Sequence, residues 1–337
     1  MSRQVNFELF RFLLMALVVL LHTSASYWPA EGFDQTFFLP LAIINSFTRP
    51  TVNLFYMLSG YFVLAGDLDL SKVLKKAGHF YFLFLLWSFI YALQGGYLMG
   101  ADLLQGMVEG NYHLWFLLGL TWAYLWSPLF SGVKKLGRKA FTYVLCFLCL
   151  FGPIKYTLLG GLDLLGDPHL SSSLSSITLY SYNNPALLFA LGGFFRIWPR
   201  QVGGLLRFGL LIVYIFLSLA NGWLVALYSA SQGDYEDFFF SNFNVVVFIQ
   251  AICLFLFFRD IDLTGLKETW QRLFIQLSKT CFGIYLLHPL ILSELAPKLT
   301  DLPLFQGLTF LWGGAFLLSL SISLLVLRLP LLGKIIR

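Results

Sequence analysis

Residues 205–229 read LLRFGLLIVYIFLSLANGWLVALYS, and beyond Arg207 this stretch contains no charged side chain. As an α-helix, with a rise of 1.5 Å per residue, it would be about 38 Å long. The hydrocarbon core of a bilayer is about 30 Å thick, so the stretch is long enough to cross it. Residues 205–229 therefore predict a transmembrane helix.

Similar apolar stretches lie on both sides of this one and continue to both ends of the chain. The 337 residues are 58% hydrophobic and only 12% charged, whereas a soluble domain has roughly 25% charged residues. This composition excludes a soluble enzyme, a disordered protein and a nucleic-acid-binding domain. We predict ten spans, at residues 12–28, 40–65, 79–99, 113–130, 140–159, 185–198, 205–229, 241–258, 275–295 and 304–328.

The distribution of basic residues predicts the orientation of these spans. With a cytoplasmic N-terminus, the inner segments hold 18 of the 22 Lys and Arg residues, as the positive-inside rule requires. The sequence thus predicts an all-α polytopic membrane protein of about ten transmembrane helices with both termini in the cytoplasm. No extramembrane domain or repeat is evident, and we predict a single membrane domain over residues 1–337.

The N-terminal 26 residues imitate a secretory signal peptide, with basic charge, an apolar run and small residues in sequence. Cleavage there would leave nine spans and reverse the charge bias. Because this segment also positions Arg11 and His22, we expect it to be retained as the first span.

The four cysteines do not predict a metal site. Cys146 and Cys149 have CxxC spacing, but they lie within an apolar stretch and no second pair of ligands accompanies them. Metal sites of this type need four converging ligands. We expect these residues to be small buried side chains and expect no metal.

Arg11 and His22 are two polar side chains on the first predicted span. They are eleven positions apart, which places them on one helix face about 16 Å apart along the axis. They could be a phosphate-binding cation at the cytoplasmic entrance and a proton-transferring imidazole deeper in the membrane. They could equally be a snorkelling arginine and a histidine bonded to a neighbouring helix.

Arg49 lies about nine residues into the second predicted span, and Pro50 follows it. Proline bends a helix and frees a backbone carbonyl, while a charge at this depth costs several kcal/mol. A buried cation beside a broken helix suits an anion, a developing oxyanion or an internal ion pair. We predict a functional role for Arg49.

Two further motifs place polar and aromatic side chains in predicted spans. His113 and Trp115 lie at the start of the fourth span, and Tyr285 and His288 lie in the ninth. An aromatic residue at the mouth of a span usually belongs to an interface belt, whereas the neighbouring histidine favours an outward-facing polar site. In the ten-span topology His22, Arg49, His113 and His288 all fall in the outer half of the membrane, where they could converge.

These elements together resemble the acyltransferase-3 family of integral membrane acyltransferases. Arg11 and His22 match its Arg-x10-His pattern, and residues 53–61 (NLFYMLSGY) resemble its P-x-F-F-x-x-S-G-[FY] element, with asparagine where the family usually has proline. Residues 113–116 (HLWF) and 283–289 (GIYLLHP) resemble its later elements. The four elements follow the family order and span most of the chain.

The resemblance implies transfer of an acyl group, usually acetyl from cytoplasmic acetyl-CoA, to a hydroxyl of an envelope polysaccharide or its undecaprenyl-linked precursor. It implies about ten helices in a bacterial inner membrane, acetyl-CoA as a substrate rather than a bound cofactor, and no metal. Within the family, chain length, residues 112–116 and Ser127-Pro128-Leu129 are most similar to members that O-acetylate an enterobacterial envelope glycan.

Under this resemblance, Arg11 would bind the CoA phosphates, and His22 would act as general base or carry the acetyl group. Arg49 would stabilise the oxyanion or position the acceptor. His113, Trp115, Tyr285 and His288 would line the acceptor side. The alternative is a transporter or flippase for a lipid-linked glycan, because broken helices and charges at the membrane midplane suit that function too.

Overall fold

A computed structural model describes residues 4–28, 35–96, 100–164, 166, 184–299 and 301–329. Within these residues all regular secondary structure is helical and there is no strand, which confirms the predicted all-α class. The predicted cytoplasmic placement of the two termini falls on residues 1–3 and 330–337, which lie outside the described residues.

The described residues contain fourteen α-helices, numbered here in chain order. They are α1 Val5–Ala25, α2 Gln35–Thr48, α3 Thr51–Val63, α4 Leu70–Gln94, α5 Gly100–Glu109, α6 Trp115–Lys135, α7 Arg138–Cys149, α8 Lys155–Leu164, α9 Asn184–Ile197, α10 Gly204–Gln232, α11 Val245–Arg259, α12 Glu268–Ser278, α13 Cys281–Leu299 and α14 Leu304–Val326. A π-helical turn, Leu150–Ile154, joins α7 to α8, and a short 3₁₀ turn, Phe238–Phe240, precedes α11.

Seven helical segments within the described residues are long and apolar enough to cross a membrane, so the multi-pass character is confirmed. The pair α12 and α13, bent by 52° at residues 279–280, forms an eighth span if it counts as one. The seven are Val5–Ala25, Leu70–Gln94, Trp115–Lys135, Arg138–Leu164, Gly204–Gln232, Phe238–Arg259 and Leu304–Val326.

The count of ten spans stays a prediction, because three predicted spans have a different form. The second, 40–65, consists of the two short helices α2 and α3 with a turn at Arg49 and Pro50. The sixth is α9, which has 14 residues. The ninth is the bent pair α12 and α13. Pro50 accounts for the form of the second span, because it divides the span into two helices that are each too short to cross the membrane. The sixth is short because its helix has only 14 residues.

The chain divides into two compact units, and the first comprises Met1–Thr51, Gln201–Asn242 and Val246–Arg337. Within it α1 packs against α2, α12, α13 and α14, while α10 packs against α2 and α13 against α14. Phe7, Phe10, Leu14 and Val19 of α1 are buried. This first unit contains Arg11, His22, Arg49, Tyr285 and His288.

The second unit comprises Val52–Arg200 and Phe243–Val245. Here α6 packs against α4, α7 and α9. The helices α3 and α9 approach until their backbones touch: a Cβ at Gly60 would lie 1.7 Å from Phe189 O, and one at Gly192 would lie 1.9 Å from Met57 O. Ser59-Gly60 of the family-like element thus serves close helix packing. The single domain over residues 1–337 stays a prediction.

Candidate functional site

Arg11 and His22 lie on one uninterrupted helix, α1. Because this helix has no kink, the regular helical rotation per residue applies over the eleven positions between Arg11 and His22. Both side chains therefore project from the same face. The predicted placement of this pair on one helix face is confirmed, and the two roles considered for the pair stay predictions.

His22 contacts the ring of a second histidine, His288 of α13. Their ring centroids are 5.3 Å apart with an interplanar angle of 30°. His288 is fully buried at 0% exposure, and its Nδ1 lies 3.0 Å from Ile284 O. A carbonyl can only accept, so Nδ1 carries the proton and Nε2 is the acceptor nitrogen of the neutral ring. The ring of Tyr285 lies 6.4 Å from that of His288.

The helix break at Arg49 and Pro50 removes usual partners from the last carbonyls of α2, and other groups donate hydrogen bonds to these carbonyls. Because Pro50 has no N–H, it cannot donate to Ser46 O. Gln250 Nε2 of α11 donates to this carbonyl at 3.4 Å, and the Tyr214 hydroxyl of α10 donates to Phe47 O at 2.7 Å. Two other helices thus supply the hydrogen bonds that a continuous helix would have made.

The other two carbonyls at this end of α2, those of Asn45 and Thr48, accept hydrogen bonds from residues close to them in sequence. The hydroxyl of Thr51 donates to Thr48 O at 2.7 Å. Asn45 O accepts from the Arg49 backbone N–H at 2.9 Å and from the Thr48 hydroxyl at 2.8 Å. All four carbonyls at the end of α2 therefore accept a hydrogen bond, and the break beside Arg49 is an ordered structure.

The Arg49 guanidinium lies between aromatic rings. Its Cζ is 4.8 Å from the centroid of the Phe240 ring and 5.8 Å from that of Trp28. Such contacts stabilise a cation by about 0.5–2 kcal/mol each. None of the ion pairs among the described residues involves Arg49. Its positive charge acts on His22. The convergence of His22, Arg49, His113 and His288 as a group stays a prediction.

Tyr235, in the segment before α11, lies next to this cation. Burial raises the pKa of its hydroxyl above the ordinary value, and the positive charge of Arg49 opposes that rise. Its ring contacts Trp28 at a centroid distance of 4.2 Å. Tyr235 is consequently a neutral phenol beside Arg49 over the physiological pH range, and only its oxygen can accept a hydrogen bond from the guanidinium.

Arg11, at the other end of α1, is close to a buried carboxylate. Arg11 Nη1 lies 3.4 Å from Glu8 Oε2, and the Glu8 carboxylate also accepts a hydrogen bond from the Ser278 hydroxyl. Glu8 is 7% exposed, whereas the Arg11 side chain is 32% exposed. The guanidinium is thus anchored on one side and accessible on the other.

His113 and Trp115 lie in the second unit, next to each other at the start of α6. His113 is buried, its Nδ1 is 2.9 Å from Asn111 Oδ1, and its ring meets the Tyr91 ring edge to face at 5.0 Å. Trp115 is 38% exposed, which is typical of an aromatic residue at a membrane interface. The structure thus gives His113 a hydrogen-bonded aromatic environment.

No group of three or more His, Cys, Asp or Glu side chains in the described part of the chain is arranged to hold a metal ion. The cysteines are free thiols, and Cys146 is exposed while Cys253 and Cys281 are buried. The expectation that Cys146 and Cys149 are small buried side chains is wrong for Cys146, and Cys149 is only partly buried, because this part of α7 has a face that no other described helix covers.

Several residues of this site were not predicted from the sequence. Glu8 could have been found from its i,i+3 spacing to Arg11. The other residues contact Arg49, or the break next to it, from distant segments, and nothing in their local sequence marks them. They are Trp28, Tyr214, Tyr235, Phe240 and Gln250, together with Asn45 one turn before Arg49.

Comparison with known proteins gives one positive result. Neither the curated proteins nor the solved structures gave a match. The model of a family described as an acyltransferase domain matches residues 4–328, which include α1, the break at Arg49 and the His288 helix. With nearly its whole length matched, the chain belongs to the acyltransferase-3 family of membrane acyltransferases.

Proposed function

We propose that the protein is a membrane O-acetyltransferase. It moves an acetyl group from cytoplasmic acetyl-CoA to a hydroxyl of an envelope polysaccharide, or of its undecaprenyl-linked precursor, at the bacterial inner membrane. The observation that supports this most directly is the contact between the His22 and His288 rings, with the Arg49 cation in electrostatic range, inside an acyltransferase domain.

In this proposal His22 is the general base. It takes the proton of the acceptor hydroxyl while that oxygen attacks the thioester carbonyl of acetyl-CoA. The carbon–sulfur bond breaks, the acetyl group stays on the sugar oxygen, and the proton passes from His22 to the CoA thiolate. The ring of His288 packs against that of His22 at a centroid distance of 5.3 Å and orients the imidazole for this transfer.

Arg49 stabilises the negative charge that develops on the carbonyl oxygen. A cation held in advance at a water-excluded site is worth several kcal/mol to such a transition state. The aromatic rings of Trp28 and Phe240 keep this guanidinium in place without neutralising its charge. Arg11 binds the CoA phosphates with its exposed side.

Acceptor-binding roles are proposed for Tyr285 and His288 in the first unit and for His113 and Trp115 in the second, because aromatic faces suit a sugar ring. The proposed acceptor class follows the resemblance of residues 112–116 and Ser127-Pro128-Leu129 to the enterobacterial common antigen O-acetyltransferase. The partners in this proposal are acetyl-CoA, the envelope glycan and the lipid bilayer.

The proposal is tested by mass spectrometry of envelope glycans from three strains. These are the wild type, a deletion strain, and the deletion strain complemented with His22→Ala at matched protein level. We expect an acetyl group to disappear from the glycan in both mutants. An acetylated glycan in the His22→Ala strain would contradict the role of His22.

A transporter for a lipid-linked glycan is the second candidate, because the break at Arg49 and Pro50 resembles the discontinuous helices of transporters. The same three strains distinguish it. Unchanged acetylation with accumulation of the lipid-linked precursor in the deletion strain would favour transport.

A further inference from the structure

The side-chain amide of Asn45 connects Arg49 to α1. Its Oδ1 accepts a hydrogen bond from Arg49 Nε. Its Nδ2 donates to Ser24 Oγ at 3.0 Å and to Leu21 O at 3.4 Å. Ser24 Oγ itself donates to Leu21 O at 2.9 Å. Leu21 and Ser24 lie in the same turn of α1 as His22.

This connection is shielded from solvent, since Asn45 and Ser24 are both 0% exposed. Hydrogen bonds to a charged donor are stronger than neutral ones, and burial makes the loss of either partner costly. The amide is also planar and short, so it allows little variation in the distance between its two partners. Asn45 therefore fixes the position of the guanidinium relative to the turn of α1 that carries His22.

We propose that Asn45 is a positioning residue for acetyl transfer, which holds Arg49 in register with His22. This inference rests on the proposed function, in which His22 is the base and Arg49 stabilises the oxyanion. Without the Asn45 amide, Arg49 keeps its charge and its contacts with Trp28 and Phe240, but its Nε is no longer directed. An oxyanion donor that shifts by about 1 Å can lower a rate about 100-fold.

The test measures transfer of labelled acetyl from acetyl-CoA to the endogenous glycan of everted membrane vesicles. The vesicles come from a deletion strain that carries each variant at matched protein level. For Asn45→Ala we expect the maximal rate to fall about 10- to 100-fold. The KM for acetyl-CoA should stay within about twofold of the wild type, because Arg11 is unchanged.

Asn6→Ala is the matched control. The Asn6 side chain donates to Phe258 O at 3.3 Å and to Arg259 O at 3.0 Å. This variant therefore loses two donated amide hydrogen bonds, as Asn45→Ala does, but not the accepted one from Arg49. It leaves Arg49 untouched, and we expect a maximal rate within about twofold of the wild type. An equal loss in both variants would mean that any lost amide lowers activity, and would overturn the inference.

A double-mutant cycle with Arg49→Lys separates positioning from general stability. Lysine keeps the charge but cannot reproduce the Nε–H donor, so Asn45→Ala should lower the rate in this background by less than about threefold. The same proportional loss in both backgrounds would overturn the inference, as would an Asn45→Ala protein with more than half of the wild-type rate. If the Arg49→Lys rate is too low for a ratio to be measured, the single variant Asn45→Ala tests the inference. A lower maximal rate with an unchanged KM for acetyl-CoA supports positioning, and a changed KM with an unchanged maximal rate overturns it.

The proposed function fails in a different way from this inference. Wild-type vesicles that transfer no label from acetyl-CoA would contradict the acetyltransferase itself. Active wild-type vesicles with a fully active Asn45→Ala protein would contradict only the positioning role.

Discussion

Within the described residues, the helix break at Arg49 and Pro50 and the one at Gly152 and Pro153 both contain a proline, but their hydrogen bonding differs. At Pro50, α2 ends and α3 begins, and side chains of two other helices, Gln250 and Tyr214, take the carbonyls left at the end of α2. At Pro153, α7 continues into α8 through a π-helical turn, with non-helical dihedrals confined to Gly152. The first break is supported by tertiary contacts and the second by a local adjustment of the helix.

The difference between the breaks extends to the charges that they hold. Arg49 in the first break is fixed by Asn45, Trp28 and Phe240, and lies within range of His22. The π-helical turn at Leu150–Ile154 has no charged residue of its own. A proline break alone is therefore not a sign of function. A break is a stronger sign of function when other helices bind its carbonyls and an amide and aromatic rings hold its charge. Such an arrangement requires several ordered contacts, whose ordering costs free energy.

Removal of the charge at the first break should have the largest effect. We expect Arg49→Ala to lower acetyl transfer in everted vesicles by about 100- to 1000-fold, as for the loss of an oxyanion donor. Lys155→Ala removes the cation that directly follows the second break and should keep the rate within about twofold. Equal losses in the two variants would remove the functional distinction between the breaks.

Removal of each proline tests the breaks themselves. Alanine at position 50 restores the N–H that can donate to Ser46 O, so α2 can continue and carry Arg49 out of place. We expect Pro50→Ala to lower the maximal rate of acetyl transfer about 10- to 100-fold. Pro153→Ala should stay within about threefold of the wild type. A fully active Pro50→Ala protein would show that the broken geometry is not required.

What the sequence could predict about these features depends on the separation of the residues along the chain. The apolar stretches, the shared helix face of Arg11 and His22 and the break beside Arg49 are local properties, and the structure confirms them. The contact between His22 and His288 joins residues 266 positions apart. Sequence analysis placed these histidines in the same half of the membrane, but only helix packing could bring their rings together.

The same limit applies to the supports of the break. The sequence predicted the break beside Arg49, because a charge and a proline are adjacent there, and it made no prediction for Pro153. Nothing in the sequence around Tyr214 or Gln250 indicated that their side chains would reach α2. The bend of 52° between α12 and α13 was also not predicted, because the apolar stretch at 275–295 gives no sign of where the helix turns.

Removal of a single hydroxyl group that donates to a carbonyl at either break should have the smallest effect on the rate. Tyr214→Phe removes only the hydroxyl that donates to Phe47 O at 2.7 Å, which costs about 1 kcal/mol of stability. Because this carbonyl lies two residues before Arg49, we expect the maximal rate of acetyl transfer to fall about three- to tenfold as well. The corresponding variant at the second break is Thr157→Val, because the Thr157 hydroxyl donates to Pro153 O at 2.8 Å and accepts from the Val245 N–H at 2.8 Å. It should lower the unfolding temperature of the detergent-solubilised protein at least as much and leave the rate unchanged. If both variants lost stability and neither lost activity, the support of the Pro50 break would be structural only, and Arg49 would hold its position through Asn45 and the aromatic rings alone.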